Sequence, residues 1–374
     1  MFQQSSYSEQ YTFFQKLRSF DFILFICILI LGCVSNLSMY STDGGEFLYH
    51  TKSHLVRFTI FFTMMIFLSF INLKFWHQTA YLFYAIVLAF LIWASLYGIT
   101  ASGSQRWINL YFINLQPSEL MKISIILCFA RYFHREQITS VNNFKNIILS
   151  MAILIMPVLL VVSQPDLGTA ILIGISGIVV LWLAGINIKY FIYSSLALIV
   201  SLPFVISLLK PYQKLRILTF FNPDRDPLGA GYQIIQSKIA IGSGGLTGKG
   251  FLKGTQSYLD FLPEKHTDFI FTLFSEEQGF FGSIFLLIIY AVLIYRIIKI
   301  GSISRSYFGR LFCYGFGSAI FVFVSVNMSM VLGLLPIVGS PLPIMSYGGS
   351  SMLATMIGLS IVMSTKIHSK QIIN

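Results

Sequence analysis

The chain is built from apolar runs that recur from residue 22 almost to the C-terminus, each long enough or nearly long enough to cross a bilayer. A helix needs about 20 consecutive apolar residues to span the hydrocarbon core. In lipid, backbone donors and acceptors must be satisfied within the spanning structure, which leaves helices or a closed barrel. The runs are continuous rather than alternating, so they select helices. About ten spans are expected, near 22–39, 58–73, 80–97, 117–132, 147–162, 167–184, 190–209, 280–298, 312–332 and 351–364. Composition agrees: 56% of the 374 residues are hydrophobic and only 10% are charged, against roughly a quarter charged in soluble domains. The expected fold class is therefore an all-α polytopic membrane protein, with residues 1–374 forming one integral-membrane domain.

Orientation follows from basic residues in the short loops. One side collects Lys16, Arg18, Lys74, Arg131, Arg135, Lys145, Lys189, Arg296, Lys299, Arg305, Arg310, Lys366 and Lys370. The short loops of the other side hold only Lys52, Arg57 and Arg106. Both termini are then expected to be cytoplasmic. The one long loop, residues 210–267 between the seventh and eighth spans, would lie outside the cytoplasm. The net charge of +11 reads as span-flanking bases plus a basic outer loop, not as a nucleic-acid surface. Cys27, Cys33, Cys128 and Cys313 all lie within apolar runs without a CxxC pair, which supports neither a disulfide framework nor a zinc site. The N-terminal segment lacks a small-residue cleavage site, so the first span is expected to be retained.

The polar stretch 222–278 is where chemistry is most expected. Its glycine cluster, Gly242 to Gly250, satisfies neither the P-loop nor the dinucleotide fingerprint. A turn is the simpler reading. Residues 232–241 have the spacing of a short amphipathic helix on the membrane surface or on the bundle, and its Lys238 would either meet a lipid phosphate or snorkel. Asp268 stands where polar loop becomes apolar helix, beside Glu264, His266 and Thr267. Desolvation there would raise the basicity of its carboxylate, while a nearby helix N-terminus would act the other way. It is either a catalytic base or an acid of a capping region, for which Thr267 is the natural cap. Glu119 and Lys122 lie three apart on one face of the fourth span. Ionisable groups at that depth must face the bundle or a wet cavity, as functional groups or as a packing ion pair. Asp166 follows a break at Gln164-Pro165 and suits a helix cap. The run Leu334 to Pro343 cannot be regular helix because its prolines remove donors. Such backbone at membrane depth must be buried in protein or line a cavity.

Taken together, Arg106-Trp107-Ile108, Gln116-Pro117-Ser118-Glu119-Leu120-Met121-Lys122, Gln164-Pro165-Asp166-Leu167-Gly168-Thr169, the long loop, and Pro341-Leu342-Pro343 with Ser346-Tyr347-Gly348-Gly349-Ser350 resemble the SEDS family (shape, elongation, division and sporulation). The likeness covers nearly all of the chain after the N-terminal tail. Gly254-Thr255-Gln256-Ser257 before Phe261-Leu262-Pro263-Glu264 looks like the elongation branch rather than the division branch; Asp260 departs from the Glu expected there but keeps its charge.

The resemblance implies a peptidoglycan glycosyltransferase that polymerises lipid II into β-1,4 glycan strands for lateral wall growth and rod shape, at the outer face of the cytoplasmic (inner) membrane. Asp268 matches the family's essential acid, Glu119 and Lys122 its paired charges, and Arg106 and Trp107 residues of the neighbouring outer loop. Lys122, Arg106, Arg225 or Lys238 would hold pyrophosphate oxygens; Glu264, His266 and Ser346 complete the expected substrate surface. A divalent metal could supply part of the positive charge, although no ligand cluster in the sequence requires one. The implied partners are lipid II, the lipid-linked glycan, a class B penicillin-binding protein and other membrane proteins of the rod complex. Two alternatives remain: a lipid II flippase, which many spans and a broken helix also suit, and a non-catalytic scaffold for a transpeptidase.

Overall fold

The computed structural model describes residues 12–101, 104–109, 114–134, 141–208, 211–222, 229–255 and 262–373. Its helices, in chain order, are α1 (Phe13–Arg18), α2 (Phe22–Thr42), α3 (Tyr49–Ser69), α4 (Leu73–Tyr97), α5 (Pro117–His134), α6 (Phe144–Ser163), α7 (Leu167–Leu183), α8 (Ile188–Leu208), α9 (Pro211–Phe221), α10 (Ala230–Ser243), α11 (Ile270–Ile303), α12 (Tyr307–Val331) and α13 (Gly349–Ile367). Six of them, α2, α4, α6, α11, α12 and α13, are long and apolar enough to cross a membrane, and α7 and most of α8 are shorter apolar helices. Helices α3 and α5 complete the polytopic set; they carry charges that lower their hydropathy. The spans extend beyond the apolar runs because polar residues such as Lys52, Arg57 and His77 are helical too.

Between α4 and α5 the chain forms a three-stranded antiparallel meander: β1 (Ile99–Ala101), β2 (Ser104–Asn109) and β3 (Asn114–Leu115). The hydropathy pattern marked this stretch only as a loop. The large connection after α8 likewise contains α9 and α10. Helix α10 packs on α11 and α12, where the Ser237 hydroxyl donates to the Val331 carbonyl (2.7 Å) and meets the Thr272 hydroxyl (2.8 Å). Of the two places open to this amphipathic segment, it lies on the bundle.

Helix α5 runs through the middle, packed by α4, α7, α12 and α13. It is buried along almost its whole length, as it must be: Ser118, Glu119, Lys122 and Ser124 would be costly against lipid. The outer helices instead expose large apolar side chains such as Phe67, Leu96, Leu159 and Val200. In water these would be liabilities, but they are the expected contact surface with acyl chains.

The two ends of the bundle differ. At one end Lys16 Nζ donates to Phe70 O (3.2 Å), Ser364 Oγ to Ile71 O (2.7 Å), and the Arg305 amide to Ser369 O (2.9 Å); Arg296 pairs there with Asp21. Both described chain ends lie here. The meander, α10 and the segments around residues 43–48, 244–255 and 334–348 occupy the other end.

Helix α11 bends sharply at Gly279, where φ is 65° and ψ −160°. The kink releases two amides, and the glycine turn after α10 takes them: Phe280 N–H donates to Gly245 O (2.9 Å) and Phe281 N–H to Leu246 O (3.1 Å). In return Lys249 and Gly250 donate to the carbonyls of Glu276 and Glu277. The glycine cluster is thus a close backbone fit around the bend. A Cβ on Gly279 would stand 2.2 Å from the Gly248 nitrogen. Gly279→Ala combines that clash with a φ reserved for glycine, so it is expected to cost at least about 1–3 kcal/mol, read as a lowered unfolding temperature in detergent.

Candidate active site

Asp268 lies in the tight segment before α11, whose N-cap is Phe269 and carries no side-chain cap. Thr267 does not cap the helix; its hydroxyl donates to the Glu264 carboxylate (2.8 Å). The end of the bundle fixes the backbone of this segment from the other side. The Asn327 side-chain amide in α12 donates both to the Asp268 carbonyl (2.9 Å) and to the Ser340 carbonyl (2.7 Å). Ser346 Oγ donates to the Thr267 carbonyl (2.6 Å) and accepts from the Leu342 amide (2.7 Å), and the Tyr347 amide donates to the His266 carbonyl (2.8 Å). The non-helical stretch 332–348 therefore runs alongside 264–269. From residue 336 onward the stretch is half-buried or buried, the setting that broken backbone at membrane depth requires. The Asp268 side chain is half-buried, and its Oδ2 lies 3.5 Å from where a Cβ of Gly339 would stand.

The same stretch reaches the paired charges of α5. Lys122 Nζ and Glu119 Oε2 are 2.8 Å apart, both side chains about 5% exposed. Lys122 also sits 4.5 Å from the centre of the Phe323 ring. Pro341 and Pro343 help to close the small cavity around the pair. One irregular segment thus has Asp268 at Gly339 and the ion pair at Pro341 and Pro343.

Arg106 in β2 holds Asp166 Oδ2 at 2.9 Å, where Gln116 Nε2 also donates (3.2 Å). The other oxygen, Oδ1, accepts the Thr169 amide and caps α7, as expected of Asp166. Next to the cap, a Cβ on Gly168 would stand 1.9 Å from the Val338 carbonyl, so the start of α7 presses on the broken stretch. Trp107 is half-buried in β2 opposite Ile99. Arg106→Ala removes the cation from a buried carboxylate and should cost about 1–3 kcal/mol; faster amide exchange across 104–109 would show the meander coming loose from α7.

The remaining expected residues are spread more widely. Glu264 is exposed. Lys238 lies on α10 with its chain against Gly333. Arg225 falls outside the described residues. Ser346 is buried and engaged with main chain. His266 meets Asp43 Oδ1 at 3.1 Å and stacks on His50, their ring centres 4.1 Å apart. Burial pushes the His266 imidazole down from its ordinary value and His50 adds to this, while contact with Asp43 opposes it. Burial also works against ionisation of Asp43, but the Thr51 hydroxyl and amide, helped by His266, outweigh it and hold that carboxyl low. Asp43 and His50 escaped the sequence reading because they sit in a short polar link more than 200 positions from His266. Asn327 offered a usable signal, a lone amide in an apolar run, which is expensive in lipid unless it is used.

A half-buried carboxylate with a fixed backbone, at the boundary between polar loops and apolar bundle, is equipped to accept a proton from a hydroxyl.

The comparisons point one way. Residues 17–371 match the FtsW/RodA/SpoVE family model, described as cell cycle protein. The chain is 39% identical over 362 residues to the peptidoglycan glycosyltransferase MrdB of Escherichia coli K12, covering 96% of this chain and 97% of that protein. It is 32% identical to the stage V sporulation protein E of Bacillus subtilis, covering 95% and 99%. Among solved structures, a chain from work on the structural coordination of polymerization and crosslinking by a peptidoglycan synthase complex superposes with a TM-score of 0.81 at 29% identity, covering 94% of this chain and 99% of that one. The rod shape determining protein RodA of Thermus thermophilus superposes with a TM-score of 0.71 at 24% identity, covering 94% and 98%, a likeness of fold.

Proposed function

Since this chain belongs to the FtsW/RodA/SpoVE family and is a peptidoglycan glycosyltransferase, we propose that Asp268 is the general base of glycan polymerisation from lipid II, on the extracytoplasmic side of the cytoplasmic membrane. The observation that carries this reading is the placing of Asp268: its backbone is anchored by Asn327, its carboxylate is half-buried beside Gly339, and it lies at the end of the bundle away from both described chain ends. With that end outside, the termini are cytoplasmic, in keeping with the bias of basic residues in the short loops.

The acceptor is the GlcNAc 4-hydroxyl of one lipid-linked sugar. Its oxygen attacks the anomeric carbon of the growing glycan, and the bond from that carbon to the lipid pyrophosphate breaks. The hydroxyl proton passes to Asp268, and the pyrophosphate leaves with the bonding electrons. One displacement inverts an α donor to a β-1,4 product, so no covalent enzyme intermediate is needed. Lys238, on the same side, would stabilise the leaving group, a role also expected of Arg225 from its place in the sequence. Arg106 and Lys122 already hold carboxylates and act first as positioning residues, keeping the meander and the broken stretch in place. A class B penicillin-binding protein and further rod-complex proteins are the proposed partners.

The test is polymerisation of lipid II by the purified chain with its transpeptidase partner in detergent. Glycan strands that persist when the partner's crosslinking is blocked support the reading. Transbilayer movement of lipid II in vesicles without any polymer would favour the flippase instead.

A further inference from the structure

Helix α2 ends at Thr42, and Asp43 serves as its C-cap. The chain turns through Gly44 and Gly45, both with positive φ, and α3 begins with His50 in its first turn. Thr51 then donates twice to one oxygen of Asp43, from its amide (2.9 Å) and its hydroxyl (2.7 Å), both to Oδ2. This orients the carboxylate and leaves Oδ1 for other partners. His266 Nε2 stands 3.1 Å from Oδ1 and His50 Nδ1 stands 3.5 Å from it. The three donor atoms all lie within 4.8 Å of one another. The Asp43 side chain is 3% exposed, His266 15% and His50 43%.

We propose that Asp43, His50 and His266 form a binding site for one divalent transition-metal ion with the ligand preferences of Zn2+. Two imidazole nitrogens and one carboxylate oxygen make a donor set that such ions take, with a further position left for water or an anion. Bonds of about 2.0–2.2 Å at tetrahedral angles place neighbouring donors roughly 3.3–3.6 Å apart; the separations at Oδ1, 3.1 and 3.5 Å, lie close to this, and a metal would draw the two imidazole nitrogens to the same spacing. Thr51 supplies the outer hydrogen bonds that orient a ligating carboxylate. Ligating imidazoles must be neutral, and burial disfavours the protonated form of His266. Tyr347 abuts His50 edge-on, with ring centres 5.2 Å apart, and Arg57 lies across the Tyr347 ring; Lys265 is the neighbouring cation in sequence. These positive charges tune affinity downward without occupying the donor atoms. The metal would join the α2–α3 turn to the segment two residues ahead of Asp268, and its effect on that segment would be to hold it.

The test needs no glycan synthesis, so its failure is separable from failure of the catalytic reading. The full chain, purified in detergent and stripped with a chelator, is titrated with Co2+ and then with Zn2+. The expected result is one Co2+ per chain with visible d–d absorption, displacement by Zn2+, and an unfolding temperature that rises with metal concentration. His50→Gln and Asp43→Asn should each weaken binding by about tenfold or more. His50→Cys keeps a donor and should bind Co2+ with a new sulfur-to-metal charge-transfer band. Binding only at millimolar Co2+, undiminished binding in His50→Gln and Asp43→Asn, or no such band in a folded His50→Cys chain would each overturn the proposal.

Discussion

Asp268→Ala is expected to reduce glycan polymerisation by at least about 10²–10⁴-fold, the usual contribution of a positioned base. The main chain of residue 268 has its own anchors, which the substitution leaves in place. Its carbonyl takes the Asn327 amide, and the neighbouring Thr267 and His266 carbonyls take Ser346 and Tyr347. None of these bonds uses the carboxylate. Asp268→Asn keeps the size and removes the basicity, so it should fall as far as alanine does. Asp268→Glu moves the charge by one methylene in a site closed on one side by Gly339, and should recover only part of the rate. The measurement is strand formation from lipid II, with thermal unfolding of each variant run beside it. A folded Asp268→Ala chain that polymerises at the wild-type rate would remove the base assignment.

The second large effect concerns α5. Lys122→Ala leaves the Glu119 carboxylate buried without its cation, and breaking a buried pair this way costs about 3–5 kcal/mol. With the exposed Cys33 replaced by Ser, the buried Cys27, Cys128 and Cys313 give the readout: a thiol-reactive dye reports unfolding as it reaches them. The double replacement Glu119→Gln with Lys122→Met removes both charges at similar volume and should regain most of the lost stability. Polymerisation is expected to stay low in the double variant, because Pro341 and Pro343 close around the pair and would lose their charged neighbour. Full activity there would mean that the pair only fills space.

The spans were legible because lipid demands long apolar runs whatever the partners. The boundary position of Asp268 was legible for a related reason: an acid at the edge of such a run is costly and therefore conspicuous. The pairing of Glu119 with Lys122 followed from helical spacing alone. What could not be read were meetings between distant segments. Arg106 lies 60 residues from Asp166, and Asp43 lies 223 from His266; no local pattern brings either pair together. The meander at 99–115 was missed since its strands are short and bury little. The glycine turn was read as a turn, but its role at the Gly279 bend depends on backbone carbonyls, which carry no residue signature. Thr267 failed as a cap because Glu264, three residues earlier, takes its hydroxyl.

The stretch 340–350 is latched by side chains from separate parts of the molecule. Ser35 of α2 donates to Met345 O, Tyr290 of α11 to Pro343 O and Asn327 of α12 to Ser340 O, while Ser350 accepts the Gln116 amide just ahead of α5. A ribosome that has released residue 331 into the membrane has already inserted Asp268 and the Glu119–Lys122 pair, yet none of the clasps to Ser340, Pro343, Met345 and Ser350 exists. Competence therefore waits for residues 340–350, and a nascent chain cannot spend precursor before that stretch is seated.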